Sequence, residues 1–298
     1  MKSVLLLVFV FKLDLLAQQL KKSSVCICME ELSSNLDNPL IIQNAGDGTE
    51  RLFVGEQKGV VHIFNQNGVK CTTPFLNITD KVKGLLGLAF HPNFSVNRRF
   101  FVYYSSRAKP KNSSDDRVTR LHEFRASRQN PDIADTSSGR LIMEIQQPFS
   151  NHNGGEIIFG DDAIFIYFLE MEEQEVLKEM HIIDSTVKER LSLLGKILRI
   201  DINKIGKRQG YGIPPDNPLM MKPRMFRPEI YAYGVRNIWR CGKESGRHNG
   251  RILCGDVGHT RSEEIDVLKK GANYGWKGRE GFECYDNKTC GKTVDSFN

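Results

Sequence analysis

The chain has 298 residues, 40% hydrophobic and 26% charged, which excludes disorder as the dominant state and the collagen, coiled-coil and low-complexity classes. Its 26 Gly, 17 Phe and 8 Tyr favour a turn-rich β protein over a helical bundle, which would carry more Ala and Leu and less Gly. The formal net charge is +6, but the basic residues are scattered and broken by acidic runs such as 170–175, so no nucleic-acid footprint emerges.

The start, Met1-Lys2-Ser3 followed by an apolar run over 4–11, has the charged and hydrophobic regions of a secretory signal. Lys12 and Asp14 interrupt it, and the run is too short to cross a bilayer as a helix, so residues 1–20 are read as a signal-like leader and no transmembrane span is expected. Seven cysteines, Cys26, Cys28, Cys71, Cys241, Cys254, Cys284 and Cys290, fit no zinc spacing, since Cys26-Ile27-Cys28 leaves one residue between thiols. They point to disulfides in an oxidising compartment. Four acceptor tripeptides, at Asn77, Asn93, Asn112 and Asn287, add N-glycosylation to the expectation of a secreted, extracellular protein.

Beyond the leader, short β-rich runs alternate with Gly, Asn and Asp turns. Strands are expected at 40–42, 51–54, 60–64, 85–90, 100–104, 156–159 and 164–167, then at 196–200, 229–233, 251–254 and 264–268. The strand centres Phe53, Phe101 and Phe165 recur after 48 and then 64 residues, close to the propeller blade repeat of about 40–50 with one insertion. A sandwich of short strands is the alternative. One segment breaks the pattern. Residues 169–194 contain no Gly and are rich in Glu, Lys, Leu and Met, with Val176, Met180 and Ile183 on one helical face, so an amphipathic helical insertion is expected there. Cys241 and Cys254 flank a turn containing Gly246 and Gly250, which predicts a disulfide across adjacent antiparallel strands, where a Cα separation of about 5.5 Å is met. Cys284 and Cys290 are expected to pair in the same way.

Six stretches appear in an ordered series: GLLGLAFHP from Gly84, NHNGG from Asn151, GKILRID from Gly195, PEIYAYGVRN from Pro228, GDVG from Gly255 with Glu263-Glu264-Ile265, and GANYGW from Gly271. On these the chain resembles the glucose/sorbosone dehydrogenase family of six-bladed β-propellers, the fold of the soluble quinoprotein glucose dehydrogenases. Cys26-Ile-Cys28, YGIPPDNP from Tyr211, NIWRC from Asn237, LCGD from Leu253 and EGFECYD from Glu280 look like its Hedgehog-interacting-protein-like branch. The resemblance covers 26–298 except 169–194, and implies an all-β fold.

In enzymes of that family a His at the position of His152 takes the proton from a sugar hydroxyl while hydride passes to pyrroloquinoline quinone, and an Arg and Asn at the positions of Arg236 and Asn237 hold the cofactor. A neutral imidazole can accept that proton, and a guanidinium beside the quinone oxygen stabilises the developing charge. Gly258, Glu264 and Tyr274 match positions that supply calcium ligands, an oxygen set suited to a hard cation.

Three site elements depart from the enzymes. Val82 stands where a Gln or Glu approaches the cofactor, Glu156 where many enzymes carry Arg, and the run after Tyr167 replaces a Gly-Asp-Gly-Gly loop. His152 is therefore read as structural, whereas for Arg236 a role pinning loops near the propeller axis, and for Glu264 a turn-stabilising role, stand at least level with the cofactor and calcium roles. The span from Cys26 to Asn298 is also short for six blades, so an incomplete propeller of about four is expected, from a fragment or short form. The chain is accordingly expected to be a secreted protein-binding propeller without a quinone, with calcium left open at Gly258, Glu264 and Tyr274. Its partner is an extracellular protein for which the resemblance offers Hedgehog, with contact implied at the loop that is here 169–194. The alternatives are a calcium- and quinone-dependent sugar dehydrogenase and a nonfunctional truncated product.

Overall fold

The computed structural model describes residues 31–107, 117–147, 154–160, 164–167, 192–206, 210–221, 226–244, 250–287 and 290. Among the described residues, four successive antiparallel sheets and one two-stranded hairpin make up the fold. The first runs β1 (Pro39–Asn44), β2 (Leu52–Glu56), β3 (Val60–Phe64) and β4 (Leu76–Asn77). The second follows as β5 (Gly84–Phe90), β6 (Arg99–Arg107), β7 (Arg117–Ala126) and β8 (Ala134–Gln147), with the single-turn helix α1 (Phe94–Asn97) between β5 and β6. The third holds β9 (Ile157–Phe159), β10 (Ile164–Tyr167), β11 (Lys196–Ile200) and β12 (Ile230–Tyr233). The fourth holds β13 (Ile238–Lys243), β14 (Ile252–Asp256) and β15 (Glu264–Val267), and is followed by the small hairpin β16 (Arg279–Glu280) and β17 (Glu283–Cys284).

Each sheet is a meander whose strands pair in sequence order, the arrangement of a propeller blade. Phe53, Phe101 and Phe165 lie on β2, β6 and β10, the second strand of three consecutive sheets, so the spacing noted in the sequence is the blade repeat. Strand periodicity explains how the blades stack, because side chains alternate between the two faces of a sheet. Phe100, Val102 and Tyr104 of β6 enter the core shared with the first sheet, alongside Phe53, Val61 and Ile63. Phe101 and Tyr103 enter the core shared with the third, alongside Leu198, Ile200 and Ile230. Ile197 and Ala232 face the other way, against Ile238, Ile252 and Cys254 of the fourth. Every residue of β5 is buried, as a strand packed on both faces requires.

The two longest strands, β7 and β8, are absent from the sequence-based expectation. β8 is rich in exposed polar residues and β7 carries charged ones, among them the buried Glu123, which is neutralised only after folding by accepting both Arg99 Nε at 2.8 Å and Arg140 Nη2 at 2.5 Å. The short helix α1 was likewise not anticipated. The helical insertion expected at 169–194 falls almost wholly outside the described residues. Gly234 shows why a glycine stands in the stretch leading to Arg236. Its φ is +75°, and a Cβ there would lie 2.1 Å from Asn273 Oδ1.

Candidate functional site

The candidate residues Arg236, Asn237, Gly258 and Glu264 come together where the loop before β13 meets the turn between β14 and β15, whereas the Tyr274 hydroxyl bonds at the far end of β15. Asp256, at the end of β14, organises this corner: its carboxylate accepts the backbone N–H of Arg236 at 2.8 Å and that of Asn237 at 2.5 Å. Burial nevertheless pushes its pKa up to about 6. The β14/β15 register sets Asp256 opposite Glu264 and Cys254 opposite Asp266, so three carboxyl groups share one face. Burial raises Glu264, and burial followed by the nearby Asp256 and Glu264 pushes Asp266 up to about 7.

The turn itself is tied down by Glu280, which is fully buried. One oxygen, Oε1, accepts the N–H groups of His259, Thr260, Arg261 and Ser262 at 2.5, 2.8, 2.9 and 3.3 Å. Burial works against ionisation here, but these four bonds hold the carboxyl below its ordinary range. The turn is so tight that a Cβ on Gly258 would lie 1.8 Å from the Ser262 carbonyl oxygen.

Arg236 spends its Nη1 inside this turn, donating to the carbonyls of Val257 at 2.7 Å and Gly258 at 2.9 Å, and its guanidinium lies over the Trp276 ring at 5.4 Å. A guanidinium bridging the chain's own carbonyls is poorly placed to hold a quinone. The buried Asn237 leaves Oδ1 without a hydrogen-bond partner among the described residues. The calcium set fares no better as a unit. The Gly258 carbonyl faces a cation already, the Tyr274 hydroxyl donates to Val267 O and accepts the Lys269 N–H, both at 2.9 Å, and Glu264 Oε1 accepts the Gly281 N–H at 2.6 Å. Among the described residues no group of three or more His, Cys, Asp or Glu is arranged to hold a metal. These residues, as they stand, fit neither a quinone nor a calcium ion.

His152 lies outside the described residues, as do Asn112, Cys26 and Cys28. Asn77, Asn93 and Asn287 are exposed. Val82 packs against the core between the first two sheets. Cys241 is bonded to Cys254 and Cys284 to Cys290. The first pair are direct register partners on β13 and β14, which brings their Cα atoms to 4.1 Å, closer than the separation expected from the sequence. Cys71 is half-buried and has no disulfide partner among the described residues.

Sequence reasoning missed a second cluster at the inner strands. Arg240 of β13 donates to the carbonyls of Trp239 at 2.7 Å and of Leu40, on β1, at 2.5 Å. Glu156, noted only as a departure from the enzymes, is buried beside it. A groove of roughly 500 Å³ also opens on the first sheet, lined by Ser34, Asp37, Glu56, Lys58, His62 and Lys70, and it includes none of the candidate residues.

Meandering sheets of three or four strands stacked face to face define a β-propeller protein. The chain belongs to the glucose/sorbosone dehydrogenase family, whose model matches residues 36–296. It is 32% identical to the HIPL2 protein of Arabidopsis thaliana, over 86% of this chain and 43% of that protein. It is 30% identical to the Hedgehog-interacting protein of Homo sapiens, over 84% of this chain and 37% of that protein. The chain thus spans about two fifths of the length of these relatives. Among solved structures, the quinone-bound aldose sugar dehydrogenase of Streptomyces coelicolor superposes with a TM-score of 0.64 at 21% identity, covering 85% of this chain and 66% of that one. That likeness shows the fold.

Proposed function

We propose that this chain is a secreted propeller of the Hedgehog-interacting-protein type, its propeller domain spanning 26–298 behind a leader over 1–20, and that it works by binding an extracellular protein without redox turnover. The observation carrying this reading is the commitment of Arg236 to the Val257 and Gly258 carbonyls, which gives both the cofactor-holding arginine and a calcium-ligand carbonyl a role inside the fold. Two disulfides and three exposed glycosylation acceptors support an extracellular setting. The relatives named as Hedgehog-interacting proteins supply Hedgehog as the first partner to try. Calcium and pyrroloquinoline quinone belong to the rival reading, a sugar dehydrogenase with His152 as base.

Two measurements decide between them. Immobilised Hedgehog protein should capture the glycosylated chain at micromolar concentration or below. Dye reduction with calcium, quinone and a panel of aldoses should stay at background. Sugar oxidation that disappears in His152→Ala would establish the dehydrogenase reading instead.

A further inference from the structure

Glu156 sits at the inner edge of the third sheet, 5% exposed, and reaches across to the fourth. Its Oε1 accepts the Ile157 N–H at 3.1 Å and its Oε2 accepts the Cys241 N–H, on β13, at 3.4 Å. The segment carrying it presses on Arg240: a Cβ on Gly155 would fall 2.7 Å from Arg240 Nη1 and 3.0 Å from the Trp239 carbonyl oxygen. Arg240 gives its two Nη atoms to the Trp239 and Leu40 carbonyls, so its hydrogen bonds go elsewhere and it reaches the carboxyl only through its charge. β5 packs on the same segment, a Cβ on Gly87 being 2.7 Å from Gly155 O. The strands β1, β5 and β9 bring no titratable side chain to Glu156. On β13 the charged groups are Arg240 and, at its exposed far end, Lys243, while Cys241 is held in its disulfide.

We propose that Glu156 is a proton-operated joint between the third and fourth sheets, closed while its carboxyl is neutral and opened when the carboxyl ionises. A buried carboxylate needs more than two backbone N–H groups and a guanidinium bonded elsewhere to replace its hydration, and separating the sheets at this point returns it to water. Burial is the leading cause that lifts its pKa to about 7, with Arg240 and the two N–H bonds pulling the other way. The sign follows from linkage. A carboxyl whose pKa is raised in the closed form contributes closure that is fully present below its ordinary pKa and is lost as pH rises through about 7.

Amide exchange tests this on the full chain. After correction for intrinsic exchange rates, protection at the Ile157 and Cys241 amides should fall between pH 5.5 and 8 by up to roughly thirtyfold, the ratio expected when a carboxyl moves between its buried and ordinary pKa. The isosteric Glu156→Gln should flatten that dependence. A wild-type profile without pH dependence, an equal slope in Glu156→Gln, or an equal fall at amides of β6 would each overturn the joint. Carbon-13 titration of the wild-type Glu156 carboxyl, which needs no variant to fold, should give a midpoint near 7, and a midpoint below 5 would also overturn it.

Discussion

Arg240 Nη2 lies 2.5 Å from the carbonyl oxygen of Leu40, a hydrogen bond that joins the inner strands of the fourth and first sheets across 200 residues of sequence. The guanidinium also stacks on Trp239, 4.7 Å from the ring centroid, which fixes the direction of the side chain. Arg240→Met should keep most of the packing and lose the bond. We expect a stability loss of about 2 kcal/mol, the order of a hydrogen bond to a charged group. Denaturant unfolding that gave an unchanged midpoint would assign Arg240 no such role.

The four N–H groups converging on Glu280 give a second expectation. Glu280→Gln removes the charge but keeps one carbonyl oxygen, and should cost about 1–3 kcal/mol. Glu280→Ala should cost more, because four donors in the 259–262 turn would then lose a common acceptor. Thermal melts of the two variants that coincided with wild type would contradict this.

His122 makes stability depend on pH. Its ring is stacked between Tyr104 and Phe124, with Nδ1 3.0 Å from the Tyr104 hydroxyl. Burial first, then the charges of Arg120 and Lys81, depress its pKa to about 4 from the ordinary 6.5. A depressed pKa contributes stability that is present above 6.5 and lost as pH falls through 4. Chemical denaturation over that window should show a smaller acid loss for His122→Phe than for wild type, and parallel curves would rule out His122 as a source.

The Cys241–Cys254 bond closes a loop across 13 residues, for which the chain-entropy account gives about 3 kcal/mol. The double variant Cys241→Ser, Cys254→Ser should unfold correspondingly earlier under oxidising conditions, and the gap should close when both proteins are reduced. Cys284–Cys290 spans 6 residues, so its removal should cost less.

Much of the fold was written locally. Strands such as Val60–Phe64 and Lys196–Ile200 are short apolar runs bounded by turn residues, and the recurrence of Phe53, Phe101 and Phe165 marks successive blades, because a strand and its turn are decided by neighbours in sequence. The same holds for the Cys241–Cys254 pair, which a hairpin brings into register. What tertiary structure alone decided are features whose partners are far apart along the chain. β7 reads as a charged segment until Arg99 and Arg140 neutralise Glu123. Arg236 reads as a cofactor arginine until the turn at Val257 and Gly258 takes up its Nη1. Glu156 reads as a polar substitution until β13 covers it and burial changes its chemistry. The environment of a charge is set by everything packed around it, and no local pattern of residues carries that information.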